Sequence, residues 1–336
     1  GEYASICVVG NRPAIACYDA ANTRVEYRMA TDAHGSAWHD AVILDGSSTD
    51  VGEYCRLELS GNYPVWLCDV WGVVHDGQRA CSLATDALIK HRQSGGCVVL
   101  ITNAPRPSHV IIPQMSAFGV PENAYDAVVS SGDVTRELVR RLAGSKVFHL
   151  GPDEDTSLLD GLPVSWSALE DAQAVFCTGL NNDGRGGGKA EVPEDYRQLL
   201  SQMQQRDLPF ICANPDRVVG VGGVLYPCAG ALADIYQELG GKVEMAGKPY
   251  QPIYKVALQC ASDILKRQIP RSQVLAIGDG LPTDVEGARA NDLPVHFITG
   301  GIHAADHKSA DAAAIAAGLE LNMPGLRVAG VAEGLV

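Results

Sequence analysis

Five polar side chains lie in turns that follow apolar runs of the sequence. They are Asp69, Thr102, Lys248, Asp279 and Asp284. Each of these residues, taken alone, is most often a turn former or a helix cap. Together they offer a nucleophilic carboxylate, a hydroxyl group, a positive charge and two further carboxylates. Such a set is suited to phosphoryl chemistry that is assisted by a divalent cation.

The carboxylates predict a magnesium site. Asp69 ends the apolar run 65–68, and Asp279 and Asp284 lie five residues apart after the apolar run 274–277. Carboxylates are hard oxygen ligands, and Mg²⁺ needs few of them because it keeps several of its waters. We therefore expect these three side chains to meet around one Mg²⁺ ion.

Thr102 and Lys248 are suited to binding a phosphoryl group. Thr102 ends the apolar run 97–101 and precedes a helix that is expected to begin near Pro107. A hydroxyl group beside free backbone N–H groups is a favourable environment for phosphoryl oxygens. The charge of Lys248, in the turn Gly247-Lys248-Pro249, can hold the phosphoryl group and the attacking carboxylate together.

Apolar strands alternate with helical patterns after Val65. Strands are predicted at 65–69, 97–102, 146–150, 174–178, 209–212, 274–277 and 294–298. Helices are predicted near 82–94, 107–118, 133–143, 194–206, 230–239, 251–265 and 284–290. This alternation predicts an α/β fold with a parallel sheet covered by helices on both faces. In such folds ligands bind beyond the C-terminal ends of the strands, where these polar side chains lie.

Residues 1–62 predict a small β-rich appendage, because they alternate apolar and polar residues with almost no helical periodicity. Gly1-Glu2-Tyr3 recurs as Gly52-Glu53-Tyr54, an offset of 51 residues that is typical of a β array. Through the stretches 14–19 and 30–38 the segment resembles repeats of bacterial β-propeller-like surface proteins. An irregular β appendage without activity is the alternative that we favour.

The order of motifs from about Val65 to about Gly325 resembles the haloacid dehalogenase superfamily. The order is strand-Asp, strand-Thr, Gly-Lys-Pro and strand-Gly-Asp-x4-Asp, and the most similar branch is class IIA, with its p-nitrophenylphosphatase-like and sugar-phosphatase-like proteins. The resemblance implies a Rossmann-like core and a Mg²⁺-dependent hydrolase of a phosphorylated small metabolite. It makes Asp69 the nucleophile, which forms an aspartyl-phosphate.

The same resemblance assigns roles to the other site residues. Thr102 matches the hydroxyl that binds the phosphoryl group, with Asn103 beside it, and Lys248 matches the motif lysine. The metal ligands implied are Asp69, Asp279, Asp284 and the backbone carbonyl of Trp71.

The resemblance also divides the chain into a catalytic core, at 65–131 and 226–336, and an inserted α/β cap, at 132–225. A cap of this kind closes over the site and selects the substrate. Asn214 and Asp216 could line the cleft, although turn formation explains them equally well.

Trp71 is the main departure from the family pattern. Phosphatases of the family have a second Asp at this position, which protonates the leaving group and later activates water. An indole cannot shuttle that proton, so the Trp–Gly version looks like a separate subgroup of class IIA. His75 could supply the proton, or it could only form local hydrogen bonds. The competing hypothesis is therefore a catalytically weak protein that binds a phosphorylated ligand or a partner in the same pocket.

Three other motifs do not meet the requirements of known sites. The stretch 186–190 lacks the first Gly and the Ser or Thr of a phosphate-binding P-loop, and is expected to be a mobile loop. The stretch 220–225 has Leu where a dinucleotide-binding motif needs its last Gly. His303 and His307 have helical spacing without the Glu of a metalloprotease motif, which favours a polar surface loop.

The composition excludes several classes of partner. With 26 basic and 40 acidic residues the net charge is −14, so nucleic acid is not an expected partner. The ten cysteines lie mostly in apolar runs and are expected to be reduced and buried. No apolar run is long enough to span a membrane, and we expect a cytoplasmic protein. The sequence leaves the substrate and the oligomeric state open, a homo-oligomer included.

Overall fold

Runs of Val, Ile, Leu and Cys form the central strands of the protein, because such side chains fit the pleated surface of a buried sheet. The structure is a computed structural model. It describes residues 4–9, 12–19, 24–31, 42–45, 63–185, 189–221, 224–301 and 312–335.

The described part of the chain contains strands β1 to β17 and helices α1 to α8. The strands are β1 (Ala4–Val9), β2 (Arg12–Asp19), β3 (Arg24–Met29), β4 (Val42–Asp45), β5 (Val65–Asp69), β6 (Cys97–Thr102), β7 (Ala127–Ser130), β8 (Lys146–Leu150), β9 (Ser165–Trp166), β10 (Ala174–Cys177), β11 (Phe210–Cys212), β12 (Val218–Val221), β13 (Val224–Pro227), β14 (Val243–Met245), β15 (Val274–Gly278), β16 (Pro294–Ile298) and β17 (Arg327–Ala332). The helices are α1 (Ser82–Gln93), α2 (Ser108–Ala117), α3 (Ser131–Arg140), α4 (Arg197–Gln205), α5 (Ala229–Glu238), α6 (Gln251–Leu265), α7 (Glu286–Ala290) and α8 (Ala312–Asn322).

The main sheet has the strand order β4-β3-β2-β1-β17-β16-β15-β5-β6-β7. Its strands from β17 to β7 are parallel to one another. Strand β5 lies between β15 and β6, so the C-terminal ends of these three strands meet at one edge of the sheet. The α/β fold with a parallel sheet is therefore confirmed.

Helices cover both faces of the parallel strands. Successive side chains of a strand point to opposite faces, and Leu67 accordingly belongs to the same core cluster as Ile253 of α6. Its neighbour Cys68 belongs to a second cluster with Leu88 of α1 and Met115 of α2. This two-sided burial holds the ends of the central strands in fixed positions.

A second sheet has the strand order β14-β11-β10-β8-β9, and all its strand pairs are parallel. It is built from chain that leaves the main sheet after β7 and returns at α6. The sequence predicted that an inserted cap spans 132–225, and this boundary stays a prediction. Strand β14, which follows residue 225, also belongs to the second sheet, where Val243 lies opposite Phe210 of β11.

The four N-terminal strands extend the main sheet as an antiparallel meander. Strand β1 pairs with β17, with Cys7 opposite Gly330, and β2, β3 and β4 follow outward. The β-rich segment therefore covers the edge of the parallel sheet. The propeller-like repeat stays a prediction, because its second half, at 52–62, lies outside the described residues.

Strands β12 and β13 form a separate two-stranded sheet. Strands β12 and β13 pair antiparallel, with Val221 opposite Val224. Residues 186–188, His303 and His307 lie outside the described part of the chain. Within that part, no helix combines the length and the apolar character that crossing a membrane requires.

Candidate active site

Asp69 and Lys248 form a buried ion pair at the C-terminal edge of the main sheet. Asp69 is the last residue of β5, and Lys248 precedes α6. The Lys248 Nζ atom lies 2.6 Å from Asp69 Oδ1 and 2.7 Å from Asp284 Oδ1. The side chains of Lys248 and Asp69 are only 3% and 9% exposed. Because water reaches these charges so little, each must be stabilised by its partners.

Three carboxylates meet at this edge. Ligand oxygens of Asp69, Asp279 and Asp284 all lie within 4.8 Å of one another, and the three side chains are buried. The backbone N–H of Gly280 donates to Asp284 Oδ2 at 3.1 Å. Carboxylates this close repel one another, and a cation among them would offset that repulsion. The donor set is hard oxygen only, which fits Mg²⁺ or Ca²⁺.

Two glycines leave room for the carboxylate of Asp279. A Cβ atom added at Gly72, whose φ is +85°, or at Gly301 would overlap the Asp279 side chain. The positive φ also places Gly72 in a region that favours glycine. The turn after β5 therefore approaches the acidic cluster closely because its residue 72 has no side chain.

Burial and neighbouring charges shift the pKa values of the ion pair. Burial, followed by the carboxylate of Asp284, raises the pKa of Asp69 well above its usual range, and Lys248 offsets only part of this. Burial opposes the charge of Lys248, but Asp284 and Asp69 outweigh it and hold the pKa of Lys248 above its usual range. A divalent cation among these oxygens would favour the ionised carboxylates.

The side chain of Asn103 holds the backbone of Lys248. Asn103 Oδ1 accepts from Lys248 N at 2.7 Å, and Asn103 Nδ2 donates to Lys248 O at 3.1 Å. The same Nδ2 donates to Asp216 Oδ1 at 2.7 Å. Both N–H groups of this amide thus have acceptors, so the Asn103 side chain positions Lys248 and has no donor left for a phosphoryl oxygen.

Trp71 connects the turn after the nucleophile to the β12–β13 hairpin. Its Nε1–H donates to the carbonyl oxygen of Gly220 on β12 at 3.1 Å. The indole ring lies so close to Gly77 that a Cβ atom there would overlap it. The residue two positions after Asp69 therefore forms a structural hydrogen bond to the β12–β13 hairpin.

His75 is buried in the same turn and forms a local hydrogen bond. Its Nδ1 accepts from the backbone N–H of Gly77 at 3.0 Å. Its ring makes edge contacts with Trp71, at a centroid distance of 5.3 Å, and with Phe118, at 5.1 Å. Burial lowers the pKa of His75. The lowered pKa favours the neutral imidazole ring, and these contacts hold the ring in place.

The structure brings the predicted site residues to one place. Thr102 ends β6, one residue after Ile101, which pairs with Asp69 of β5, and its Oγ1 accepts from Ala104 N at 3.2 Å. Asn214, which was predicted either to line the cleft or to form a turn, accepts through Oδ1 from Asp216 N at 3.0 Å. Asp216 belongs to that turn and also accepts from the Asn103 amide, so lining of the cleft by Asn214 and Asp216 stays a prediction.

The β12–β13 hairpin, which bonds to Trp71, was missed by the sequence analysis. Its signal is present in the sequence as two apolar runs, 218–219 and 224–225, around glycines. Two such runs separated by a short Gly-rich turn are typical of a hairpin. Leu225 excludes a dinucleotide-binding motif at 220–225, and Gly220 lies on β12 instead.

Two family models match the chain. One describes a haloacid dehalogenase-like hydrolase and matches residues 66–164. The other is described as HAD-hydrolase-like and matches residues 245–320. The two matches contain all the site residues of the main sheet, from Asp69 to Asp284. No curated protein matches the chain.

Solved structures of similar fold include two phosphatases. A p-nitrophenyl phosphatase from Archaeoglobus fulgidus is 17% identical, with a TM-score of 0.61, over 82% of this chain and 97% of that one. A glycerol phosphate phosphatase from Mycobacterium tuberculosis, in complex with calcium, is 20% identical, with a TM-score of 0.58, over 82% and 72%. These similarities show a shared fold.

A much higher identity links the chain to a hydrolase of the haloacid dehalogenase-like family from Brucella suis 1330. The two are 47% identical, with a TM-score of 0.69, over 74% of this chain and 93% of that one. On this identity and on the two family models, the chain belongs to the haloacid dehalogenase-like hydrolase family.

Proposed function

We propose that the protein is a class IIA phosphohydrolase, which uses Mg²⁺ and the nucleophile Asp69 to hydrolyse a phosphorylated small metabolite. The observation that carries the proposal is the buried Asp69, whose Oδ1 lies 2.6 Å from Lys248 Nζ and whose carboxylate lies among two others. Three separate loops hold the carboxylate, the lysine and the acidic pair together at one edge of the main sheet. Such preorganisation is what stabilises charge during phosphoryl transfer.

The residues at this edge of the main sheet have different roles in the proposed reaction. Asp69 attacks phosphorus, Lys248 neutralises charge on the phosphoryl oxygens, and the hydroxyl of Thr102 donates to one of them. Asp69, Asp279, Asp284 and the backbone carbonyl of Trp71 would hold Mg²⁺. The bound ion would orient the phosphoryl group and offset its negative charge.

The second sheet is proposed to act as the cap. Asp216, in the loop after β11, bonds to Asn103, and Gly220 on the hairpin accepts from Trp71. Both contacts join this part of the chain to the edge that carries the nucleophile. A cap in this position would shield the site from water and select the substrate.

The test is a panel of phosphorylated metabolites, incubated with Mg²⁺ and with the wild type or the Asp69→Asn variant. We expect turnover only in the wild type and only with a divalent cation, because an amide cannot attack phosphorus. Asp76→Asn is the matched control, since this exposed carboxylate is in the same turn and bonds only to backbone N–H groups and Arg79. Undiminished turnover in Asp69→Asn would exclude the proposed nucleophile.

A catalytically weak protein that binds a phosphorylated ligand is the second candidate. It is favoured by Trp71, which occupies the position of the family's proton donor and is bonded to Gly220. Tight binding of phosphorylated compounds without turnover of any of them, in a folded protein that binds Mg²⁺, would support this candidate.

A further inference from the structure

At the position from which the family's acid would protonate a leaving group, this protein has a side chain without an acidic proton. The indole of Trp71 has a single N–H group, which is a donor in hydrogen bonds and does not ionise. That N–H is bonded to the carbonyl oxygen of Gly220. The ring also lies against Gly77, where an added Cβ atom would overlap it. Trp71 therefore leaves the departing oxygen without a general acid at this position.

Packing and hydrogen bonds within the protein hold the neighbouring groups that could replace the missing acid. His75 Nδ1 accepts from Gly77, and its ring is enclosed between Trp71 and Phe118. The carboxylate of Asp216 accepts from the amide of Asn103, which fixes it beside Lys248. The side chain of Tyr254 is completely buried in the core of the main sheet.

We propose that the substrate is an acyl phosphate or a phosphoric anhydride, whose leaving group departs as a stable anion without accepting a proton. This inference rests on the proposed phosphohydrolase function and narrows its substrate class. Alkyl phosphates are excluded as good substrates, because an alkoxide leaves slowly unless an acid protonates it. General acid catalysis typically accelerates a reaction by about 10²–10⁴-fold, and alkyl phosphates lack this acceleration here.

Both steps balance without a side-chain acid or base. In the first step a carboxylate oxygen of Asp69 bonds to phosphorus, the bond from phosphorus to the leaving oxygen breaks, and the leaving group keeps the electron pair. In the second step water attacks phosphorus and the bond to Asp69 breaks, returning the electron pair to the carboxylate. Both protons of the water remain on the product, which leaves as dihydrogen phosphate.

The test is the dependence of kcat/KM on leaving-group acidity, measured with Mg²⁺ on a series of substituted phenyl phosphates. Acetyl phosphate, inorganic pyrophosphate and ethyl phosphate extend the series. We expect kcat/KM to fall steadily as the leaving group becomes less acidic, with ethyl phosphate at least about 10²-fold below acetyl phosphate. The ratio of acetyl phosphate to pyrophosphate then distinguishes an acyl phosphate from an anhydride substrate.

Two variants at position 71 separate the effect of the missing acid from that of the indole. Trp71→Asp adds a carboxyl group. It should weaken the dependence of kcat/KM on leaving-group acidity, because it accelerates hydrolysis of ethyl phosphate most. Trp71→Phe removes the bond to Gly220 without adding an acid, so its series should stay steep. If Trp71→Asp does not fold, the slope of the wild-type series decides alone.

The failure of this inference differs from the failure of the proposed function. A flat wild-type series would overturn the inference while leaving a phosphohydrolase, and a series that becomes steep only in Asp216→Asn would identify Asp216 as a hidden acid. No turnover of any member by a folded, Mg²⁺-binding protein would instead overturn the proposed function.

Discussion

Asn103 shows how one side chain can fix the position of another residue's charge. Its amide bonds to both the N–H and the carbonyl of Lys248 and also to Asp216. The family resemblance placed Asn103 beside the phosphoryl group, and its backbone N–H can still serve there. The structure uses the side chain to connect three loops, so we regard Asn103 as a positioning residue.

Replacing Asn103 by Ala should lower kcat more than it changes KM. The variant leaves the backbone groups of Lys248 without partners, which costs about 1–3 kcal/mol of unfolding free energy. A shift of about 1 Å in a catalytic group can cost about 10²-fold in rate. Steady-state kinetics and urea unfolding measure the two effects.

The matched control for this prediction is Asn322→Ala. The amide of Asn322 is exposed and bonds within its own helix, to the carbonyl of Gly318 at 2.8 Å. Its replacement should change stability by less than about 0.5 kcal/mol and leave kcat unchanged. Equal losses of kcat in both variants would exclude a special role of Asn103.

At the scale of elements, the strands and helices with strong apolar patterns were predicted closely. The predicted strands 65–69, 97–102 and 294–298 agree with β5, β6 and β16 at every boundary, and α6 agrees with the predicted 251–265. These elements are buried on at least one face, so their sequence pattern and their environment agree.

Strands of both sheets were missed by the sequence analysis. Strands β7 and β14 have only four and three residues. Strand β17 contains Gly330 and Ala329, whose strand propensity is low, and it is held by pairing with β16 and β1. Their positions depend on partners that are distant in the sequence.

The β12–β13 hairpin should become more mobile when Trp71 loses its donor. In Trp71→Phe the carbonyl of Gly220 has lost a hydrogen bond worth about 1 kcal/mol, so amides of β12 and β13 should exchange about fivefold faster. Amides of β15, which is buried in the main sheet, should be unaffected. Hydrogen–deuterium exchange measured by mass spectrometry tests both expectations.

Trp166→Phe provides the control, because Trp166 is exposed on β9, which belongs to the second sheet and not to the hairpin. It should leave exchange in β12 and β13 at the wild-type rate. Unchanged exchange of the hairpin in Trp71→Phe would mean that the bond to Gly220 does not hold the hairpin, and Trp71 would then act only through its bulk.

At the scale of the whole molecule, the N-terminal strands extend the main sheet but contribute none of the predicted site residues. All predicted site residues lie after Val65, whereas β1 contributes only an antiparallel partner for β17. The sequence predicted a β-rich segment at residues 1–62. Which edge it covers could not be predicted, because β1 and β17 are more than 300 residues apart.

Deleting residues 1–60 should therefore leave kcat/KM largely unchanged and make the protein prone to association. Without β1, the outer side of β17 exposes unpaired N–H and C=O groups, which can pair with another copy of the chain. Light scattering after size-exclusion chromatography should show species that grow with protein concentration. Adding Ala332→Lys, at a half-buried position of β17, to the truncated protein should reduce this association, because a charged edge disfavours strand pairing.

A truncated protein that stays monomeric at all concentrations would contradict the role of β1 as an edge cover. If it also bound Mg²⁺ but had lost turnover, the N-terminal strands would belong to the active site.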